Sequence, residues 1–309
     1  MDLSKPSQFW ERLGSEHAAE LDRHGFANVK RVQGLRYFNW RWRPGRLAGS
    51  EQFSFLLRHA RPRDLRAVLR RPLGASDSAW DGVEWSMGER RAYIVAVRLL
   101  WRYATRHGDP AVISLAEPEL GAPLPVHLDG RLISQDLANA ALEVAAMKRA
   151  LGDRQPGHIV EVGGGYGRSA YGLLHAFPDA RYTIVDIEPA ASISRWYMNE
   201  LAPGRVVVIS PEQALELDDG AFDLAVSISS LHEMRLDQID GYLSLFDRVG
   251  AGGVVYLKQW TRWDNPVDGV RAEFADYPIP SRWRRLLYER CPVQTHFTQA
   301  AWEVPPDPA

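Results

Sequence analysis

The chain has 309 residues, of which 45% are hydrophobic and 25% charged, and a formal net charge of −2. This length allows one large domain or two ordinary ones, and the near-neutral charge gives no general attraction to nucleic acid or anionic membrane. With one cysteine, Cys291, an internal disulfide is excluded and a cysteine zinc site disfavoured.

Four Lys stand against 33 Arg, which reads as codon bias in a GC-rich genome. The segment Met1–Trp10 has no apolar run of signal-peptide length. No stretch approaches the ~20 apolar residues of a membrane span. These features lead to the expectation of a cytoplasmic protein.

From the start, Pro6–His24 reads as a helix stopped by Gly25. Short helices follow at Phe53–Leu57 and Leu65–Leu69, on either side of Pro62. The clearest helix is Glu89–His107, with Tyr93, Val97, Leu100, Trp101 and Ala104 at helical spacing. A Pro- and Gly-rich connection runs from Gly108 to Pro125, and nothing in this half alternates strongly enough to build a sheet. Ser134 then caps a helix that ends at Leu151.

Strand-like and helical segments alternate beyond that point. The strands are His158–Val162, Tyr182–Val185, Val206–Ile209, Phe222–Ile228 and Gly253–Leu257. The helices between them are Arg168–Phe177, Pro189–Leu201 and Leu236–Val249. Apolar strands of this kind require a parallel sheet covered on both faces. Trp283–Arg290 and Phe297–Val304 read as an antiparallel hairpin at the sheet edge. The expected architecture is α/β: a mainly helical domain over residues 1–130 and a Rossmann-like domain over 131–309.

The sharpest motif is Val160-Glu161-Val162-Gly163-Gly164-Gly165-Tyr166-Gly167-Arg168, between a strand and a helix. A dinucleotide site places glycine at the first, third and sixth positions; here the sixth is Arg168, and the glycines stand first, third and fifth. The acid-x-Gly-x-Gly-x-Gly pattern resembles motif I of class I methyltransferases that use S-adenosylmethionine (SAM). That resemblance implies a Rossmann-like sheet with a reversed last strand. It places the loop Gly163, Gly164, Gly165, Tyr166 and Gly167 against the methionine and ribose of SAM, with Glu161 meeting the cofactor's amino group or orienting the loop. At the end of the second strand Asp186, followed by Ile187, can accept bonds from two ribose hydroxyls. Ser210 and Pro211, after the third strand, fall beside the adenine in that fold; they also read as a helix cap with Pro in the first turn.

Longer stretches resemble the sugar O-methyltransferase family of antibiotic and polysaccharide gene clusters: Gly34–Phe38, Gly130–Leu137, Val160–Arg168, Tyr182–Pro189 and Leu231–Met234. The resemblance implies a sugar or glycoside hydroxyl as the small-molecule acceptor in natural-product biosynthesis, with S-adenosylhomocysteine as product.

Ligands of such sheets bind beyond the carboxyl ends of the strands, where the chain reads Ser227-Ile228-Ser229-Ser230-Leu231-His232-Glu233. Ser227 and Ser229 are assigned to the cofactor side. His232 is the candidate general base, since an imidazole accepts a proton near neutral pH; the alternative is a helix cap or core histidine. Glu233, its sequence neighbour, is expected to point elsewhere, as a contact to a substrate hydroxyl or a structural anchor. Trp260, Arg262 and Trp263 after the fifth strand suit a sugar's apolar faces and polar edges, against the alternative of lid packing. Tyr37 and Gln135, from the family-like stretches, are further acceptor contacts.

No metal motif is present; Mg2+ at acceptor hydroxyls is compatible with nearby acids but not indicated. Neither nucleic acid nor membrane is an expected partner, while exposed aromatic residues suggest a homodimer. Other readings are an N- or O-methyltransferase on a non-sugar natural product, and a SAM-binding protein that transfers no methyl, such as a cyclase or regulatory partner. A dehydrogenase is disfavoured by Arg168 and the terminal hairpin.

Overall fold

Continuous apolar runs of short, turn-bounded length form strands where both faces of the sheet are covered, and the C-terminal half meets that condition. In a computed structural model that describes residues 7–47, 49–70, 80–265 and 267–306, seven strands form one sheet: β1 (His158–Val162), β2 (Arg181–Val185), β3 (Val206–Ile209), β4 (Leu224–Ile228), β5 (Val254–Trp260), β6 (Arg284–Arg290) and β7 (Phe297–Glu303). Their order is β6-β7-β5-β4-β1-β2-β3. The five strands β5-β4-β1-β2-β3 are parallel. β7 runs antiparallel to β5 and to β6, so it is the one reversed strand, and it lies inside the sheet while β6 forms the edge. This is the class I methyltransferase sheet that the sequence pattern implies.

All five residues of β4 are buried. The core around β1, β4 and β5 joins Val160, Val162, Leu231, Ile239, Phe246 and Trp302, and truncation of a buried Phe such as Phe246 to Ala costs about 3–5 kcal/mol. The chain lays down β1, β2 and β3 outward, then returns to place β4 on the other side of β1. The carboxyl ends of β1 and β4 therefore flank the switch point, where such sheets hold their ligands.

Two compact units result: residues 1–18 with 147–309, and residues 19–146. The division expected at 130/131 thus falls at 146/147. The reason is local: Asp109 N–H donates to Ala141 O at 2.8 Å, and a Cβ on Gly108 would lie 2.9 Å from that of Ala141, which ties the first turns of helix Gln135–Leu151 to the preceding chain. The first residues join the sheet unit because Asp268 accepts from the N–H groups of Gln8 and Phe9.

In unit 19–146, helix Met87–His107 starts with a capping box between Ser86 and Glu89 and buries Tyr93, Val97, Leu100 and Ala104. Helices Glu51–His59 and Pro62–Arg70 precede it, so Pro62 opens the second helix rather than merely separating the two. A two-residue ladder, His127–Leu128 with Arg131–Leu132, is the strand pairing among this unit's described residues. Lys30 and Glu117 form a buried ion pair, and Ser134 both donates to Glu117 (2.6 Å) and caps the helix through Leu137 N–H (2.9 Å). Helix Gln8–His24 ends at Gly25 as expected; Pro6, where the sequence pattern starts it, lies outside the described residues.

One element is absent from the sequence reading. After β5, Arg262–Asn265 and Val270–Glu273 pair as a small antiparallel hairpin, with Gly269 at positive φ in its turn. Trp263 and Arg262 sit on this hairpin, not on an irregular lid.

Candidate active site

The glycine loop leaves β1 in a conformation that requires glycine. Gly163 has φ +78°, and a Cβ there would lie 2.1 Å from Ser230 Oγ, so this position closes the β1 loop tightly on the β4 loop. Gly165 also has positive φ, +59°, yet a Cβ there would meet nothing within 4 Å. The same turn is thus packed on one side and open on the other.

Below the loop, Glu161 is buried. It accepts from Tyr182 Oη at 2.9 Å, and burial pushes its pKa up to about 7, against the opposing hydrogen bonds from Ser169 and Tyr182. Its carboxylate lies close under Gly164, where an added Cβ would be 3.3 Å from Glu161 Oε2. Tyr166 is buried edge-on against Tyr197 (ring centroids 5.0 Å), so in the loop only its backbone faces outward. Gly167 caps helix Arg168–Ala176.

Asp186 stands at the end of β2, half-buried. Its Oδ2 accepts from Gly165 N–H at 3.0 Å and its Oδ1 from Ile187 N–H at 2.8 Å. Removal from water pushes its pKa up to about 7, while these two N–H bonds act to lower it. Each oxygen keeps a lone pair for a further donor. The acid and the open face of Gly165 are thereby joined in one cradle, and the residues present fit an adenosyl ligand with vicinal hydroxyls.

Ser210 caps the short helix after β3 in a capping box with Gln213, with Pro211 at the first helical position. Ser227 is fully buried and both its carbonyl and its hydroxyl oxygen accept from Gln259 Nε2. Ser229 has φ +57° and donates its N–H to Lys258 O.

Beyond β4, Leu231–Glu233 forms a 3-10 turn. It brings His232 and Glu233 to the same side: Nε2 and Oε1 lie 3.4 Å apart, both side chains buried. Sequence neighbours in a strand or extended loop face apart, and the turn is what reverses that expectation for Glu233. His232 Nδ1 meets Gln259 Oε1 at 3.1 Å. Because Gln259 Nε2 is committed to Ser227, its Oε1 must accept, and this network assigns the proton to His232 Nδ1. In the neutral ring Nε2 then carries the lone pair.

Aromatic rings wall this pair. Trp263 lies edge-on to His232 (5.1 Å) and to Trp260 (5.2 Å), and Trp260 stacks on His296 at 5.7 Å. Trp263 Nε1 and Tyr277 Oη are buried, and neither has a hydrogen-bond partner among the described residues. Burial raises the Tyr277 phenol above its usual range, and nearby Glu233 adds to that. Two buried donors next to a histidine and a carboxylate are what an oxygen-bearing ligand would satisfy.

Arg262 is exposed and faces Asp264 (3.4 Å). Tyr37 and Gln135 belong to unit 19–146. Tyr37 is 38% exposed, while Gln135 is buried with its Oε1 accepting from Trp42 N–H. Sequence reasoning overlooked Gln259 and Tyr277. The register of β4 on β5, with Ile228 beside Lys258, is the signal that sets Gln259 next to the loop after β4; Tyr277 carries no local signal.

Residues 160–255 match the family described as a methyltransferase domain. That segment is similar to a methyltransferase domain. The chain is 28% identical over 217 residues, 68% of its length, to a fatty-acid O-methyltransferase of Mycolicibacterium smegmatis, covering 74% of that protein. Among solved structures it is similar to the 1,6-didemethyltoxoflavin-N1-methyltransferase of Burkholderia thailandensis (20% identity, TM-score 0.41, 54% of this chain and 78% of that one). It is also similar to the [4+2]-cyclase SpnF (18%, TM-score 0.45, 58% and 84%). Gly163–Gly167 and Asp186 lie within the matched segment and join in one cradle through the Gly165 N–H bond to Asp186. His232, Glu233 and Gln259 line the adjacent carboxyl end of β4 and β5. No helix among the described residues is long and apolar enough to cross a membrane, and no group of three metal-ligating side chains occurs among them.

Proposed function

We propose that the protein is an O-methyltransferase that methylates a hydroxyl of a sugar or glycosylated natural product, with His232 as general base. SAM supplies a methyl group already activated by its sulfonium sulfur. What the chain must add is position and a proton acceptor, because an aliphatic hydroxyl is a poor nucleophile.

The observation that carries the proposal is the His232 arrangement. Gln259 holds Nδ1 and leaves the Nε2 lone pair for the hydroxyl proton. Glu233 Oε1, 3.4 Å from Nε2, stabilises the imidazolium that forms. Trp263 Nε1–H and Tyr277 Oη–H donate to the acceptor's other oxygens, and Trp260 and Trp263 offer faces for its apolar surface. On this reading Arg262 is a further acceptor contact.

The fatty-acid O-methyltransferase relative favours a second reading, a carboxylate acceptor. A carboxylate is already anionic and needs no base. Incubation with SAM and separate panels of glycosides and fatty acids, with product analysis, decides between them. The proposal expects S-adenosylhomocysteine and an O-methyl glycoside, lost in His232→Ala. Fatty-acid methyl esters formed equally well by His232→Ala contradict it, as does methylation at nitrogen or release of no S-adenosylhomocysteine with any acceptor.

A further inference from the structure

Unit 19–146 holds an arginine cluster that the methyltransferase chemistry does not use. The turn Arg36–Phe38, the extended segment 39–43 and the short helix Pro44–Leu47 fold against the start of helix Met87–His107. They enclose a cleft of about 290 Å³ lined by Arg36, Arg41, Arg43 and Arg46 together with Trp85 and Glu89.

The four guanidinium groups differ in how they are held. Arg41 is fixed: it donates to Arg31 O at 3.0 Å and to Gln33 Oε1 at 3.1 Å, and it lies over the Trp85 ring at 5.9 Å. The side chains of Arg36, Arg43 and Arg46 have no hydrogen-bond or ion-pair partner among the described residues. The carboxylate in the cleft, Glu89, is engaged by Ser86 N–H and Oγ, both at 2.9 Å.

One carboxylate thus faces four guanidinium groups. Burial lowers the pKa of Arg36, and the like charge of Arg43 lowers it further; Arg41 is lowered by burial and by Arg36, against the opposing influence of Tyr93 and Asp136. Such crowding of like charges is unfavourable until an anion enters.

We propose that this cleft binds the phosphoryl group of a small molecule. Guanidinium forks match phosphate oxygens in bidentate pairs, and the three terminal oxygens of a phosphate monoester outnumber the two of a carboxylate, which suits the three available arginines. The cleft has room for the phosphoryl group of a small molecule, and the Trp85 wall offers an apolar face beside the anion.

The test is calorimetric and thermal-shift titration of the full chain with inorganic pyrophosphate and phosphate, with sodium acetate and sodium chloride at matched ionic strength as comparators. Pyrophosphate is expected to bind and raise the melting temperature well beyond acetate or chloride. Arg36→Gln/Arg43→Gln is expected to weaken that binding at least tenfold. The exposed single variants Arg43→Gln and Arg46→Gln, each weakening it several-fold, keep the test readable if the double variant does not fold. Equal effects of pyrophosphate and acetate, unaltered pyrophosphate binding in the single variants, or tighter binding of a DNA or RNA oligonucleotide that pyrophosphate fails to displace would overturn the proposal. SAM and an acceptor are absent from these titrations, so the result is independent of the methyl-transfer reading.

Discussion

Gln259 Oε1 sits 3.1 Å from His232 Nδ1 and also accepts the His232 backbone N–H at 3.4 Å and that of Ser230 at 3.0 Å. One amide on β5 therefore fixes both the ring and the backbone of the loop after β4, while its nitrogen anchors to Ser227. If His232 is the base, its removal should cost what general-base catalysis supplies. His232→Ala is expected to lower kcat by about 10²–10⁴-fold for a hydroxyl acceptor and to leave SAM affinity within about twofold, as measured by steady-state kinetics and calorimetry.

Gln259→Leu removes the positioning group and leaves buried N–H and C=O groups of Ser227, Ser230 and His232 unpaired, at about 1–3 kcal/mol each. Its melting temperature should fall. Its rate should drop with a changed pH profile, because the Nδ1–H tautomer is no longer enforced. A lower melting temperature with an unchanged pH profile would limit Gln259 to a structural role.

The loop glycines should separate folding from binding. Gly163→Ala meets both a positive φ, at about 1 kcal/mol, and Ser230 at 2.1 Å, and overpacking adds about 1–3 kcal/mol. Gly165→Ala faces only the φ strain, with open space around the new carbon. Thermal melts should show Gly163→Ala as the more destabilised of the two, and calorimetry should show the Gly165→Ala defect mainly as weaker SAM binding.

Glu161 and Asp186 give the cofactor-free protein a characteristic pH response. Both carboxyls have pKa values raised to about 7 when folded, above their unfolded values of about 4. The folded chain therefore holds protons that the unfolded chain releases. This contribution to stability is complete below about pH 4 and is lost as the pH rises to about 7. Glu161→Gln should flatten the decline in melting temperature between pH 5 and 7.5 (~one titrating group). The slope difference from wild type isolates Glu161 from other groups; identical slopes would contradict its raised pKa.

Asp186 adds the opposite trend for the ligand. Ionised, it accepts ribose hydroxyl bonds better than when protonated, so SAM affinity should rise as the pH passes from 6 to 8 (about the folded pKa). Asp186→Asn should remove that rise, and its persistence would assign it to another group.

Much of the sheet was legible because parallel strands buried on both faces leave uninterrupted apolar runs, as in Leu224–Ile228, whose five residues are all buried. The glycine loop was legible because its turn tolerates no other residue at Gly163. The hairpin Arg262–Asn265 with Val270–Glu273 was not, since its strands have four residues each and carry mixed polar and charged residues. The unit boundary is not legible because helix Gln135–Leu151 is continuous across it; tertiary bonds such as Trp42 N–H to Gln135 and Asp109 N–H to Ala141 record where its first turns belong. Glu233 was misjudged because neighbouring side chains diverge in extended backbone, and the 3-10 turn that unites it with His232 has no strong sequence signature. Tyr277 lies 44 positions beyond Glu233 and reaches the site through tertiary packing alone.

Titration of the purified chain with S-adenosylhomocysteine tests the cradle formed by the glycine loop and Asp186 most directly. One ligand per chain should bind, and Asp186→Ala should weaken it at least tenfold, for the loss of about 1.5 kcal/mol or more in charge-assisted hydrogen bonds. No heat of binding to either SAM or S-adenosylhomocysteine, or equal affinity in Asp186→Ala, would contradict the assignment of this site.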